Sequence, residues 1–325
     1  MAPPQKKYKK IKLYGSIFVI FMVFLTFVFV GELFDFNVNT ENIVPSNHKN
    51  DTDNLEIIHF KNDKGNISPD RAITEDTKAP FLIEKHTPST TLHGSLLDHL
   101  DDLNNKYKSG DYEAGYVLAV NLSNCFYTKD NESQFKEEFA EIENNLTTNN
   151  DLREELPEHV QQFHFCFGVS RKIRNTYFEI VRNMANENYP PAQVLFSMLT
   201  PPELLDEKLS ELPASKQSEL IEAYMTESNR FLESAAYAGS LHAMMNLANN
   251  YQYGNKVAKN PIKALSLNLA LLEFTENNEL YIEIEKTRLA LEGNLSSEEL
   301  NEANTLSNEI IKKIRKNRTL YKFPL

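Results

Sequence analysis

The chain holds two cysteines, Cys125 and Cys166, whose chemistry depends on the compartment they reach. An even count with no Cys-x-x-Cys spacing predicts, in an exported chain, one structural bridge between them. Closing a loop of about 40 residues in this way contributes about 4 kcal/mol in the chain-entropy account. Two buried free thiols, a metal-bound pair or a nucleophile are the alternatives. For a metal the candidate ligands are Glu158-His159-x-x-x-x-His164-x-Cys166, because imidazole and thiolate both suit zinc. On a helix, however, His159 and His164 stand about 140° apart, unlike the i, i+4 pair of a helical zinc site. A nucleophile pair of His164 with Cys166 or Cys125 lacks a third group to orient the base, and a bridged sulfur cannot attack. The carboxylate runs Asp98-x-x-Asp101-Asp102 and Glu137-Glu138-x-x-Glu141-x-Glu143 have the residue types for acid–base work but read as solvated helix faces. Asn-x-Ser/Thr strings at Asn66, Asn121, Asn131, Asn145 and Asn294 matter only in a host that glycosylates. No catalytic constellation emerges, and the chain is expected not to be an enzyme.

Composition narrows the partners. The 325 residues carry 46 acids against 34 Lys and Arg, a formal net charge of −12, and only 10 glycines. Neither a GxGxxG nor a GxxxxGK[ST] string occurs, so phosphate-cradling nucleotide folds and small-molecule cofactors are not expected. The acidic balance disfavours nucleic acid.

Charge is also unevenly placed. Lys6, Lys7, Lys9, Lys10 and Lys12 form a basic segment, 1–12, directly before the charge-free run 13–31 from Leu13 to Gly31, which ends at Glu32. At about 1.5 Å per residue such a helix nearly spans a hydrocarbon core about 30 Å thick. A cleavable signal peptide would have a shorter apolar region closed by small residues, whereas this run closes on Phe27-Val28-Phe29-Val30-Gly31. The sequence therefore predicts a transmembrane anchor with a cytoplasmic N-terminus and an extracytoplasmic remainder, as at a bacterial inner membrane facing the periplasm. Residues 32–94 are rich in Asn, Asp, Thr, Ser and Pro, and their apolar pieces, Leu55 to Ile58 and Phe81 to Ile83, are too sparse for a core. They read as a disordered or stalk-like linker. From 95 to 316 the apolar residues recur at i, i+3, i+4 and i+7, and a basic tail, 317–325, follows. The fold class is accordingly all-α: an anchor, a linker, then an irregular repeat of helix pairs. Phe163 to Phe167 has the aromatic content of a strand, but its flanks read as helix.

Within the helical region five columns agree in three places. Gly110, Asn188 and Gly239 are residue types that tolerate a left-handed turn. Four positions on stand Ala114, Ala192 and Ala243, then Leu118, Phe196 and Leu247, then the small residues Ala119, Ser197 and Ala248. Seven positions before the turn lie Leu103, Val181 and Leu232. Each copy thus predicts a helix end, a turn and a second helix whose small residues allow close approach.

The third copy extends further: Ala243-x-x-x-Leu247-Ala248-x-x-Tyr251-x-x-Gly254-x-x-Val257-x-x-Asn260-x-x-Lys263-Ala264, preceded by Ala235-Ala236-x-x-Gly239. Over about 231–273 this resembles the Sel-one-like repeat, a relative of the tetratricopeptide repeat. The resemblance implies that Leu, the small residue and Tyr pack a helix A, that Gly closes it, and that Lys-Ala opens a helix B. It further implies adaptor or scaffold work toward a protein or peptide, taken in a groove lined by helix A. Carried onto this chain, the groove positions are Tyr116 and Val120 in the first copy and His242, Met245, Asn249 and Tyr253 in the third. The first copy lacks the Tyr-x-x-Gly continuation, the second breaks at Thr200-Pro201-Pro202, and the unequal spacing of the turns departs from a regular period. Ser297 to Lys316 reads as a terminal capping helix. A stalked lumenal or periplasmic enzyme shares the layout of basic tail, anchor and stem, but the alternating strand–helix pattern of such enzymes is missing. A purely structural spacer shares every feature of the adaptor.

Overall fold

The computed structural model describes residues 81–145, 152–205 and 207–322. The run 13–31 and most of the expected linker lie outside the described residues. Among the described residues no helix is long and apolar enough to cross a membrane.

Helices dominate. In chain order the elements are β1 (Ile83–Lys85), α1 (Leu96–Lys108), α2 (Tyr112–Asn124), α3 (Glu132–Asn145), α4 (Leu152–Cys166), α5 (Arg171–Arg174), α6 (Tyr177–Asn186), α7 (Pro190–Met198) and α8 (Pro202–Leu205). A 3-10 turn at Glu207–Glu211 leads into α9 (Ala214–Tyr237), α10 (Leu241–Tyr253), α11 (Pro261–Phe274), α12 (Asn278–Glu292), α13 (Ser297–Asn317) and β2 (Thr319–Tyr321). The helix starts are set by local chemistry: the side chains of Asp111, Ser240 and Asn260 each accept a hydrogen bond from the backbone N–H three residues on, and Pro190 and Pro261 open their helices where no N–H partner is needed. Ser296 and Glu299 close a reciprocal capping box on α13.

The three turns expected from the register are all left-handed, with φ of 95° at Gly110, 59° at Asn188 and 98° at Gly239. Every member of the other four columns is buried. Consecutive packing runs α1 on α2, α2 on α6, α6 on α7, α7 on α9, α9 on α10, α10 on α11 and α11 on α13, a stacked series of helix pairs. One apolar cluster centres on α2, α6 and α7, the other on α9, α10, α11 and α13. Helix α7 faces both, giving Phe196 to the first and Val194 to the second. Helices α3 to α5 fill the long interval between the first two copies, and α8 with the 3-10 turn the shorter one. The Phe163 region is helical through Cys166, and α13 caps the stack as the sequence predicts.

Two segments differ from expectation. Within the part of 32–94 read as linker, Ile83–Lys85 form β1, and within the basic tail Thr319–Tyr321 form β2, the two pairing in parallel as Ile83 with Thr319, Glu84 with Leu320 and Lys85 with Tyr321. Leu320 is 4% exposed inside the second cluster, and Leu82 packs against the same cluster. Three-residue strands joined across nearly the whole domain have no local periodicity, because tertiary contacts alone select them. Beyond β1, the Thr90 carbonyl accepts a hydrogen bond from Asn121 Nδ2 at 2.9 Å. Since Tyr321 N–H donates to Gly239 O at 2.8 Å, this short N-terminal segment ties the turn of the third copy to α2 of the first. The five Cα–Cα steps from Lys85 to Thr90 reach about 18 Å at most.

Candidate functional site

Helices α2, α7 and α10 are the three A-type helices, each entered from a left-handed residue and packed through its Ala, Leu or Phe, and small-residue columns. What remains of each helix surface is the face between those columns, and there the expected groove positions fall. Tyr116 and Val120 are partly buried and pack against the first cluster, and burial pushes the Tyr116 hydroxyl up to about 12. His242 is half-buried, and burial pulls its imidazole below the ordinary value. Met245 is partly buried against the second cluster, Asn249 is exposed, and Tyr253 is 67% exposed at the end of α10. The face therefore changes along α10 from covered to open.

The second copy supplies positions absent from that set. Val194 occupies the column of Tyr116 and Met245 but is buried, whereas Met198, in the column of Val120 and Asn249, is 44% exposed. The register alone marks Met198 once it is carried through the middle copy. At the entry end of the helices a tyrosine cluster lies outside every column: the rings of Tyr112 and Tyr189 are 5.8 Å apart, and Tyr189 lies near Glu113, Tyr116 and Tyr321. Burial, together with those neighbours, holds the Tyr189 hydroxyl well above its usual range. Half-buried tyrosines present apolar area and a polar tip at small entropic cost, as interaction surfaces use them.

The third-copy motif works as the resemblance implies. Gly254 closes α10 with φ 76°, and Asn260 caps α11. Tyr251 donates its hydroxyl proton to Glu233 Oε1 at 2.8 Å and accepts from Lys263 Nζ at 3.2 Å, with that ammonium 4.9 Å from the ring centroid. Beside this trio lies a cavity of about 60 Å³ floored by Leu247, Leu267 and Ile310, room for a few waters at most.

Cys125 and Cys166 are bonded, with their Cα atoms 5.4 Å apart, so the sulfurs serve neither as metal ligands nor as nucleophiles. Their bridge ties the end of α2 to the end of α4. Arg174, 1% exposed, locks the same corner by donating to Cys125 O at 2.8 Å and to Thr128 O and by pairing with Asp130. Burial pulls its guanidinium below the ordinary value, with Asp130 opposing. In the sequence Arg174 reads as one more cation in Arg171-Lys172-Ile173-Arg174. Among the described residues no group of three or more His, Cys, Asp or Glu is placed to hold a metal ion.

No protein-family model matches the chain, and no curated protein matches it. Among solved structures it is similar to a protective antigen present in uropathogenic Escherichia coli strains, described as displaying an SLR fold, at 17% identity and a TM-score of 0.33. That likeness covers 68% of this chain and 42% of the antigen. The helical-repeat description of this chain rests on the packed helix pairs themselves.

Proposed function

We propose that the chain is a membrane-anchored, extracytoplasmic helical-repeat protein that serves as a scaffold for a protein or peptide partner, bound on the exposed face of its A helices. The observation that carries this reading is the exposure of Met198 and Asn249, which share one register column on α7 and α10, and of Tyr253 one turn further along α10, while the packing columns of both helices are buried. The open face lies on α7 and α10, as stacked helix pairs allow, and binding there needs no reacting group. The bond between Cys125 and Cys166 supports an oxidising compartment, in keeping with the anchor read at 13–31. The test is partner capture from the protein's own membranes by the full chain and by a Met198→Asp, Tyr253→Asp double variant. The reading expects the same captured protein to be lost from the variant while the melting temperature is unchanged. Equal capture by both chains would contradict it.

A further inference from the structure

The two strands are held unequally. Strand β2 lies between α13 and the α10 turn: Leu320 is buried, Tyr321 N–H donates to Gly239 O, and Tyr321 also bridges Ser240. Strand β1 lies outside it with all three residues exposed, held by its ladder with β2, by Ile83 N–H to Arg318 O at 2.7 Å and by Lys322 N–H to Lys85 O at 3.0 Å. A two-stranded parallel pair is marginal on its own, and β1 belongs to no helix, so its departure would cost the stack the Leu82 contact but no helix–helix packing. Departure of β1 uncovers a fixed edge of unpaired N–H and C=O groups, the template on which sheets add a strand.

The side chains around β1 state what that edge recognises. Leu82 packs against the second cluster, Glu84 pairs with Lys322 Nζ at 2.8 Å, and Lys85 Nζ lies 5.7 Å from the Tyr321 ring centroid. We propose that β2 is a strand-addition site for an extended segment of another protein, running parallel to β2 with an apolar residue, any residue, an acid and a base in succession, and that β1 occupies this site in cis until it is displaced. The site lies at the entry end of α10, away from Met198, Asn249 and Tyr253, so its failure would leave the scaffold reading standing.

The probe is a fluorescent synthetic peptide of residues 81–92, titrated into the full chain. Ile83→Pro removes the N–H that donates to Arg318 O and frees β2, so this variant should bind the peptide at least tenfold tighter than the wild type, whose own β1 competes. A peptide carrying Glu84→Lys should bind the Ile83→Pro chain about tenfold more weakly, and the further change Lys322→Glu in the protein should restore it. Leu82→Ser provides a second way to loosen β1 should the proline variant fail to fold. Binding to neither loosened variant, with the helical signal intact, would overturn the proposal, as would binding indifferent to both charge changes. Exchange of β1 between differently tagged wild-type copies, read as a strand-swapped dimer by light scattering, would also overturn it in favour of a second copy as occupant.

Discussion

The Thr319 carbonyl oxygen occupies the space that a Cβ on Gly239 would need, so the turn of the third copy and the last strand of the domain are fitted to each other. Gly239 thus meets two demands at one position: a left-handed φ of 98°, shared with the other turns, and a backbone approach that only the third copy makes. Gly110 has the same conformation, φ 95°, with nothing within 4 Å of its missing side chain.

Substituting the two glycines separates the demands. Gly110→Ala should cost about 1 kcal/mol, the conformational penalty alone. Gly239→Ala should cost about 2 to 3 kcal/mol, because the strand must also shift. Chemical denaturation of both variants measures the difference, and equal losses would show that β2 does not press on the turn.

Crowding the packing columns should be felt in the same way. Ala243→Leu and Ala248→Leu place added methylenes between helices in contact and should destabilise by about 1 to 3 kcal/mol. Asn249→Ala and Tyr253→Ala, on the open face of α10, should stay within about 0.5 kcal/mol of the parent. Thermal melts of the four variants decide whether the columns and the open face are as distinct as their burial says.

The register was legible because each of its parts has a local cause. A left-handed turn selects Gly or Asn, and close helix approach selects Ala or Ser, so Gly110, Asn188 and Gly239 and their columns carry the geometry in their residue types. Met198 was equally legible once the register was extended through Asn188. The strands were not: Ile83–Lys85 differ from their flanks only by a pairing with residues at the other end of the domain. Arg174 was hidden for a related reason, since its role depends on the carbonyls of Cys125 and Thr128, which the disulfide corner brings to it.

That corner yields its own prediction. Reducing the Cys125–Cys166 bond should lower stability by about 2 to 4 kcal/mol, less any residual structure in the unfolded chain. Arg174→Ala should cost about 3 kcal/mol with the bond intact, because it leaves buried carbonyls unpaired. Mass analysis of the protein from its own compartment under non-reducing conditions should find neither thiol alkylatable, and two free thiols there would contradict the bond.

His242 sets a pH dependence. Its folded-state value is pulled below 6.5 by burial, so the unfolded chain takes up its proton first as pH falls. Its proton-linked effect on stability vanishes well above pH 6.5, and stability is lost progressively as pH drops through 6.5 toward the lower folded value. Denaturation midpoints from pH 7.5 to 5 should fall less steeply for His242→Gln than for the parent; parallel curves would show that the imidazole is solvated.

The scaffold claim is tested most directly by a photo-crosslinking scan of the full chain in its own membrane, with the reactive side chain placed in turn at Met198, Asn249 and Tyr253 and at the exposed control positions Glu222 on α9 and Glu302 on α13. The account predicts one common adduct from the three A-helix positions and none of that mass from the controls. A common adduct from Glu222 or Glu302 with none from the A-helix face would contradict it.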